Sequence, residues 1–155
     1  MTRRRAAAGA SAATLMLLAG CTAGAVQVPL PSPDPEAERL CGALAEGLPD
    51  EIFGQRQVPT EPESDLVAAW GDPAIALRCG VERPESYRPD SELTVVNGVA
   101  WLPEPADRPT AYTALGREAY VEVTVPPSYS PPAEALVAIG DAIGDAVPAL
   151  PDGEL

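Results

Sequence analysis

Residues 69–80, AWGDPAIALRCG, constrain the fold of this chain more than any other segment. A Gly-Asp-Pro turn begins the segment, and the alternation that follows predicts a strand over residues 75–79. In this alternation Cys79 points to the same side as Ile75 and Leu77, toward the core. Arg78 points to the opposite side, between small side chains. The segment therefore predicts a central strand that carries one half of a disulfide.

A predicted helix over residues 34–48 supplies the second core-facing cysteine. Asp34 suits the N-cap and Pro35 the first helical position, while Gly47 and Pro49 end the helix. Apolar residues recur at helical spacing and share one face: Ala37, Leu40, Cys41, Leu44 and Leu48.

Residues 1–20 have the organisation of an export signal. Three arginines precede an apolar run over residues 6–18, which is too short and too alanine-rich to span a membrane comfortably. The run closes on Leu18-Ala19-Gly20-Cys21, a bacterial lipobox in which the cysteine sulfur receives a diacylglycerol before cleavage. We predict lipidation of Cys21, with an ordinary signal peptide and an incidental cysteine as the alternative. The predicted location is extracytoplasmic, anchored by lipid to the outer face of the cell membrane, by an export route left open.

Lipidation of Cys21 leaves Cys41 and Cys79, and an exported location favours their pairing. We therefore predict one internal disulfide between them. A redox-active pair is the alternative. It is disfavoured because the spacing is not Cys-x-x-Cys and the chain has no His or Lys to lower a thiol pKa.

The composition of the remaining chain predicts its domain organisation. Residues 21–33 are small, apolar and proline-rich, which is typical of an extended tether. Residues 34–148 form a single domain, and residues 149–155 a flexible tail. Within the domain, residues 49–65 read as irregular. Their capping-box pattern at residues 60–63 allows a short helical turn toward Trp70, and an extended run is equally compatible.

The clearest strand signal is the Asn97-Gly98 dipeptide, which favours a two-residue type I′ turn. It predicts a hairpin over residues 93–102 with Val96 opposite Val99 and Thr94 opposite Trp101. Two further strands are predicted over residues 110–115 and 118–125, and a second helix over residues 131–147 with Ser130 as its N-cap. The predicted fold class is α+β: a small antiparallel sheet with a helix at each sequence end.

Four segments together resemble a known family. They are the string of residues 69–81, Val96-Asn97-Gly98-Val99-Ala100-Trp101, Gly116-Arg117, and Val123-Thr124-Val125-Pro126. The chain resembles an actinobacterial envelope family of lipoproteins designated domain of unknown function 3515. The resemblance implies a location in the envelope and brings no particular activity.

The charge and the missing residue types exclude several function classes. Without residues 1–20 the chain has 7 arginines and 23 acidic residues, a formal charge of −16. Such a surface repels nucleic acid and anionic phospholipid. We therefore expect the contact with the membrane to depend on the lipid at Cys21. The absence of histidine and lysine excludes Ser-His-Asp and Cys-His catalysis, His-ligated zinc and a P-loop. What remains is carboxylate chemistry, either paired acids for glycoside cleavage or an oxygen-only site for calcium, and our prediction contains no cofactor and no metal site.

The predicted function is a non-enzymatic binding or accessory module of the cell envelope, with an envelope protein or wall component as its partner. The alternative is a carboxylate-dependent hydrolase that acts on cell-wall glycan. The candidate binding surface comprises Trp70, Asp72, Arg78 and Arg83. For Arg78 two roles remain open: pairing with Asp72 to brace the turn, or recognition of an anionic partner. The two tryptophans are interpreted as core residues, with an aromatic platform as the alternative.

Overall fold

Ten strands and two helices form in residues 24–151 and 153–154, the part of the chain that this computed structural model describes. The signal peptide and the lipidation site Cys21, both predicted from the sequence, lie outside these residues. The helices are α1 (Pro35–Gly47) and α2 (Ala133–Ala146). The strands are β1 (Val26–Gln27), β2 (Glu51–Ile52), β3 (Gln55–Val58), β4 (Thr60–Glu61), β5 (Val67–Trp70), β6 (Ile75–Val81), β7 (Thr94–Val96), β8 (Val99–Glu104), β9 (Ala111–Leu115) and β10 (Tyr120–Thr124).

Eight of these strands form one sheet in the order β2-β3-β5-β6-β10-β9-β8-β7, and every neighbouring pair is antiparallel. β1 and β4 form a separate parallel pair. The mostly antiparallel sheet, the two helices and the disulfide agree with the predicted α+β class. The sheet is larger than predicted, and only α2 lies near a sequence end, because β1 precedes α1.

Both helices pack against one face of the sheet, which we call the inner face. Cys41 of α1 and Cys79 of β6 are 0% and 1% exposed and form the predicted disulfide, with a Cα–Cα distance of 5.6 Å. This bond ties α1 to the centre of the sheet. The largest fully buried side chains of this core are Trp70, Trp101, Leu44, Ile75, Leu77, Leu136, Ile139, Ile143, Val99, Val121, Val123 and Val147.

The helix boundaries follow the predicted signals at α1 more closely than at α2. The Asp34 carboxylate accepts hydrogen bonds from the main-chain N–H groups of Glu36 and Ala37, both at 2.9 Å. The predicted cap at Ser130 is wrong, because α2 begins at Ala133 and its N-cap position, Pro132, makes no side-chain cap.

The hairpin formed by β7 and β8 has the predicted register, with Val96 opposite Val99 and Thr94 opposite Trp101. Asn97 and Gly98 have φ values of 51° and 76°, the left-handed region that a type I′ turn requires.

Residues 49–65 are extended, and the helical turn weighed for this region does not form. They contribute β2, β3 and β4 and lead into β5, whose four residues are all buried. The indole Nε1 of Trp70 donates to the Pro49 carbonyl at 2.8 Å, so the loop after α1 is fixed to the end of β5.

Residues 24–33, predicted as a free tether, lie against the outer face of the sheet, and we call them the N-terminal strap. Val28 is 3% exposed and packs with Val67 and Ala69. Composition alone missed this contact because the small apolar residues that suit a linker also suit a shallow apolar face.

Ala149 and Leu150 are also held by the domain. Ala149 bridges to Arg117, and the Leu150 N–H donates to the Gly116 carbonyl at 3.0 Å, so the domain extends past residue 148. None of the helices in the described residues is long and apolar enough to cross a membrane.

Candidate functional site

The outer face of the sheet carries a row of side chains that runs across five strands. Arg78 on β6 lies opposite Glu122 on β10, and Glu122 lies opposite Thr113 on β9. Val67 and Leu102 continue the row at its two ends. The valines at positions 121 and 123 face the core, so strand alternation directs Glu122 to this outer face.

Arg78 is fixed at the centre of the row by two partners. Its Nη1 lies 3.1 Å from Glu122 Oε1, and its Nε donates to the Pro29 carbonyl of the strap at 3.0 Å. The two charged side chains are 31% and 24% exposed, so solvent reaches the pair only in part. The guanidinium therefore joins the sheet to the strap.

Two segments wall this region and leave a pocket between them. Pro31 and Ser32 of the strap form one wall. The other wall comes from residues 82–93, which leave interior strand β6 and reach edge strand β7 across the outer face. Ser86 Oγ in this connection donates to Glu104 on β8 at 2.5 Å. The resulting Arg78 pocket has a volume of about 350 Å³ and is lined by Pro31, Ser32, Arg78, Val81, Glu82, Pro84, Glu104, Thr113 and Glu122.

The Arg78 pocket is acidic despite the arginine at its floor. Three glutamates line it against one arginine, which is a formal charge of −2. Thr113 is the one buried polar side chain among the residues described, at 1% exposure, and it also lines the pocket. The pocket thus combines anionic groups and a hydroxyl on a rigid sheet, an arrangement that favours ligands with cationic or hydrogen-bonding groups.

A larger groove, of about 900 Å³, lies between the end of α1 and the loops around β4. Its charged side chains are Glu63 and Asp65, both in a connecting loop. The Arg78 pocket is the stronger candidate site because three of its four charged groups, Arg78, Glu104 and Glu122, lie on strands and have defined hydrogen-bond partners.

The structure does not bring the four predicted surface residues together. Trp70 is fully buried and belongs to the core, as does Trp101, so neither forms an aromatic platform in this structure. Asp72 lies in the turn before β6 and lines a different pocket. The Arg83 guanidinium stacks 4.7 Å from the centre of the Tyr87 ring and lines a third pocket beside Gly80. Of the four, Arg78 is the residue that lines the candidate site.

Glu122, Thr113 and Glu104 were not singled out from the sequence. Alternation within residues 119–125 does place Glu122 opposite the buried valines. What the sequence lacks is the register between β6 and β10, because these two strands are separated by a long stretch of chain. In the described residues, no cluster of three acidic, cysteine or histidine side chains is arranged to hold a metal ion.

A protein-family model described as "Protein of unknown function (DUF3515)" matches residues 7–151. The chain belongs to this family. No curated protein and no solved structure matches it. In this DUF3515 protein, the string at residues 69–81 forms the end of β5, the following turn and all of β6.

The Gly116-Arg117 pair of this DUF3515 protein has a structural position. Arg117 donates from Nη1 to the Val147 carbonyl at 3.2 Å and from Nη2 to the Gly98 carbonyl at 3.4 Å. It therefore joins the end of α2 to the hairpin turn.

Proposed function

We propose that this DUF3515 protein is a lipid-anchored, extracytoplasmic binding module of the cell envelope, without catalytic activity, and that the Arg78 pocket is its binding site. The main support for this proposal is the Arg78 pocket itself. The strap covers one part of the outer face and residues 82–93 cross another, and charged groups are exposed between them. The lipobox ending at Cys21 supports the anchored, extracytoplasmic location.

The charge of the pocket determines the chemistry of the partner. Arg78 is already paired with Glu122, so an anionic ligand would have to displace that carboxylate. Glu82 and Glu104 add two further negative charges. A partner that presents ammonium or guanidinium groups fits this field. We therefore propose an envelope protein or wall component with cationic groups, and not a nucleic acid.

Site-specific photocrosslinking in native membranes tests the proposal. A crosslinking residue replaces Ser32 on one wall of the pocket or Pro84 on the other, and Glu134 on α2, across the sheet, is the control position. We expect a crosslinked partner from the two wall positions and none from position 134. The double variant Glu82→Gln/Glu104→Gln should abolish the crosslink while the protein keeps its melting temperature. Equal crosslinking from all three positions, or none from the pocket, would refute the assignment of the site.

The anchored location has its own test. The intact mass of protein extracted from membranes should show a diacylglycerol on Cys21 at the mature N-terminus. An unmodified N-terminus at another residue would refute the anchor while leaving the pocket assignment open to the crosslinking result.

The presence of three glutamates around one pocket favours a second candidate, a carboxylate-dependent hydrolase acting on wall glycan. Such enzymes use one carboxyl group as the acid and a second as the base or nucleophile. Release of soluble sugars from purified cell wall, lost in Glu82→Gln or Glu104→Gln, would support hydrolysis over binding.

A further inference from the structure

The N-terminal strap follows β6 along the whole outer face. Gly24 lines a pocket with Gly71, Asp72 and Pro73, the turn before β6. Farther along, the Pro29 carbonyl accepts from Arg78, in the middle of the strand. We call the sheet end that carries the turn at residues 71–74 the near end.

The strap reaches the far end of β6 at Gly80. An added Cβ on Gly80 would lie 2.6 Å from Pro33 Cβ, so the two main chains approach each other closely there. The strap therefore begins at the near end of the sheet and ends at the far end.

Main-chain hydrogen bonds and apolar contacts hold the strap in place. The Val26 N–H donates to the Pro59 carbonyl at 2.9 Å and the Val28 N–H to the Glu61 carbonyl at 3.2 Å. Val28 is buried against the sheet. The strap is thus part of the folded domain.

Gly24 is three positions after Cys21 in the sequence, and a fully extended chain spans at most about 3.6 Å per residue. The Cα atom of Cys21 must therefore lie within about 11 Å of Gly24. A diacylglycerol on Cys21 places that residue at the membrane surface. The near end of the domain is then held against the same surface.

We infer that the near end of the sheet is a membrane-facing surface and that its partner is the headgroup layer of the bilayer that holds the lipid. This inference rests on the proposed lipidation of Cys21. The surface consists of Gly24, Val26, Gln55, Arg56, Asp72 and Pro73, around a cavity of about 670 Å³.

Charge supports this orientation of the domain. The near-end cavity is lined by one arginine and one aspartate, so its formal charge is zero, whereas residues 21–155 carry −16. A neutral patch is the part of such a protein that approaches anionic headgroups with least repulsion. The Arg78 pocket begins farther along the strap, so a partner reaches it in the layer immediately outside the membrane.

Depth-dependent fluorescence quenching tests the orientation. The lipidated full-length protein is reconstituted in vesicles whose headgroups carry a quencher. A fluorophore is attached at Asp72→Cys, at the near end, or at Glu118→Cys, at the far end. Both positions are exposed, and both changes remove one negative charge. Cys41 and Cys79 are bonded and Cys21 is blocked by lipid, so the new thiol is labelled selectively. β6 spans seven residues, and the two labels are on the order of 20 Å apart.

We expect the near-end label to be quenched several-fold more strongly than the far-end label. Insertion of about ten Gly and Ser residues between Ala23 and Gly24 should remove most of this difference, since the longer linker frees the domain. Equal quenching at both positions in protein of confirmed lipidated mass would overturn the orientation and leave the anchor intact. Unlipidated mass would refute the anchor, and the orientation with it.

Discussion

Arg78 on β6 forms its ion pair with Glu122 on β10, 44 residues farther along the chain, and not with Asp72 in the turn before its own strand. Strand geometry explains this choice of partner. Each residue of a strand advances the chain by about 3.3 Å, so the extended chain carries Arg78 away from Asp72. Residues opposite each other on neighbouring strands have Cβ atoms about 5 Å apart. Arg78 therefore pairs across the sheet.

Removal of this pair should destabilise the protein. We expect Arg78→Ala to lower the free energy of unfolding by about 1–2 kcal/mol, because the change leaves Glu122 and the Pro29 carbonyl without their donor. Thermal unfolding should show a loss of several degrees, whereas the exposed Arg56→Ala control should change stability by less than about 0.5 kcal/mol. In a double-mutant cycle the Arg78→Ala and Glu122→Ala losses should be non-additive; strict additivity would contradict a direct interaction.

The disulfide should contribute a large share of the stability. The cysteines are 38 positions apart, and the chain-entropy relation for such a loop gives about 4 kcal/mol. We expect Cys41→Ala/Cys79→Ala to lower the free energy of unfolding by about 2–5 kcal/mol in denaturant titrations. Non-reducing peptide mapping of the wild type should recover the two peptides joined. Free alkylation of both thiols in the native protein would contradict the bond.

Local sequence signals predicted the elements of this fold well. The Asn97-Gly98 turn, the cysteine positions and the apolar face of α1 each depend on a few neighbouring residues, and the structure agrees with all three. The predicted Ser130 cap failed because a run of prolines follows it, and α2 begins beyond them.

The candidate site depended on contacts that no local pattern encodes. The Arg78 pocket needs the register between β6 and β10, the path of residues 82–93, and the docking of the strap. The hydrogen bond from the Asn97 side chain to Asp141 on α2 is a second example, since the two residues are 44 positions apart in the chain. Such long-range pairings are set by packing, and composition contains little information about them.

Tyr112 should make stability depend on pH in the alkaline range. Burial raises the pKa of its phenol above the ordinary value of 10.0, and its hydroxyl donates weakly to the Pro109 carbonyl at 3.4 Å. Below pH 10 the phenol is neutral in both states. As the pH rises above that, the unfolded chain loses this proton first, so stability falls until the folded-state pKa is passed.

Melting temperatures measured from pH 8 upward should therefore fall more steeply in the wild type than in Tyr112→Phe above about pH 10. The Tyr120→Phe variant keeps Tyr112 and should retain the wild-type slope. Identical slopes of melting temperature against pH in the wild type and in Tyr112→Phe would contradict the assignment of this pH dependence to Tyr112.

The contact between Gly80 and Pro33 should determine whether the strap stays docked. Gly80 has a φ of 82°, and an alanine Cβ there would lie 2.6 Å from Pro33 Cβ, which is closer than real Cβ contacts. Because the proline ring is rigid, the strap has to move. Gly98 is a matched control, since its φ is 76° but nothing lies within 4 Å of an added Cβ.

Gly98→Ala should therefore lower the free energy of unfolding by about 1–2 kcal/mol, which is the cost of placing an alanine in the left-handed conformation. Gly80→Ala should lose about 1–3 kcal/mol more, from the steric clash. Limited proteolysis distinguishes the two variants: cleavage within residues 24–33 should accelerate in Gly80→Ala and not in Gly98→Ala.

In the double variant Gly80→Ala/Pro33→Gly, removal of the proline ring relieves the clash, so part of the additional loss of stability should be recovered. Equal stability loss and equal strap cleavage in the two alanine variants would show that Pro33 does not hold the strap on β6.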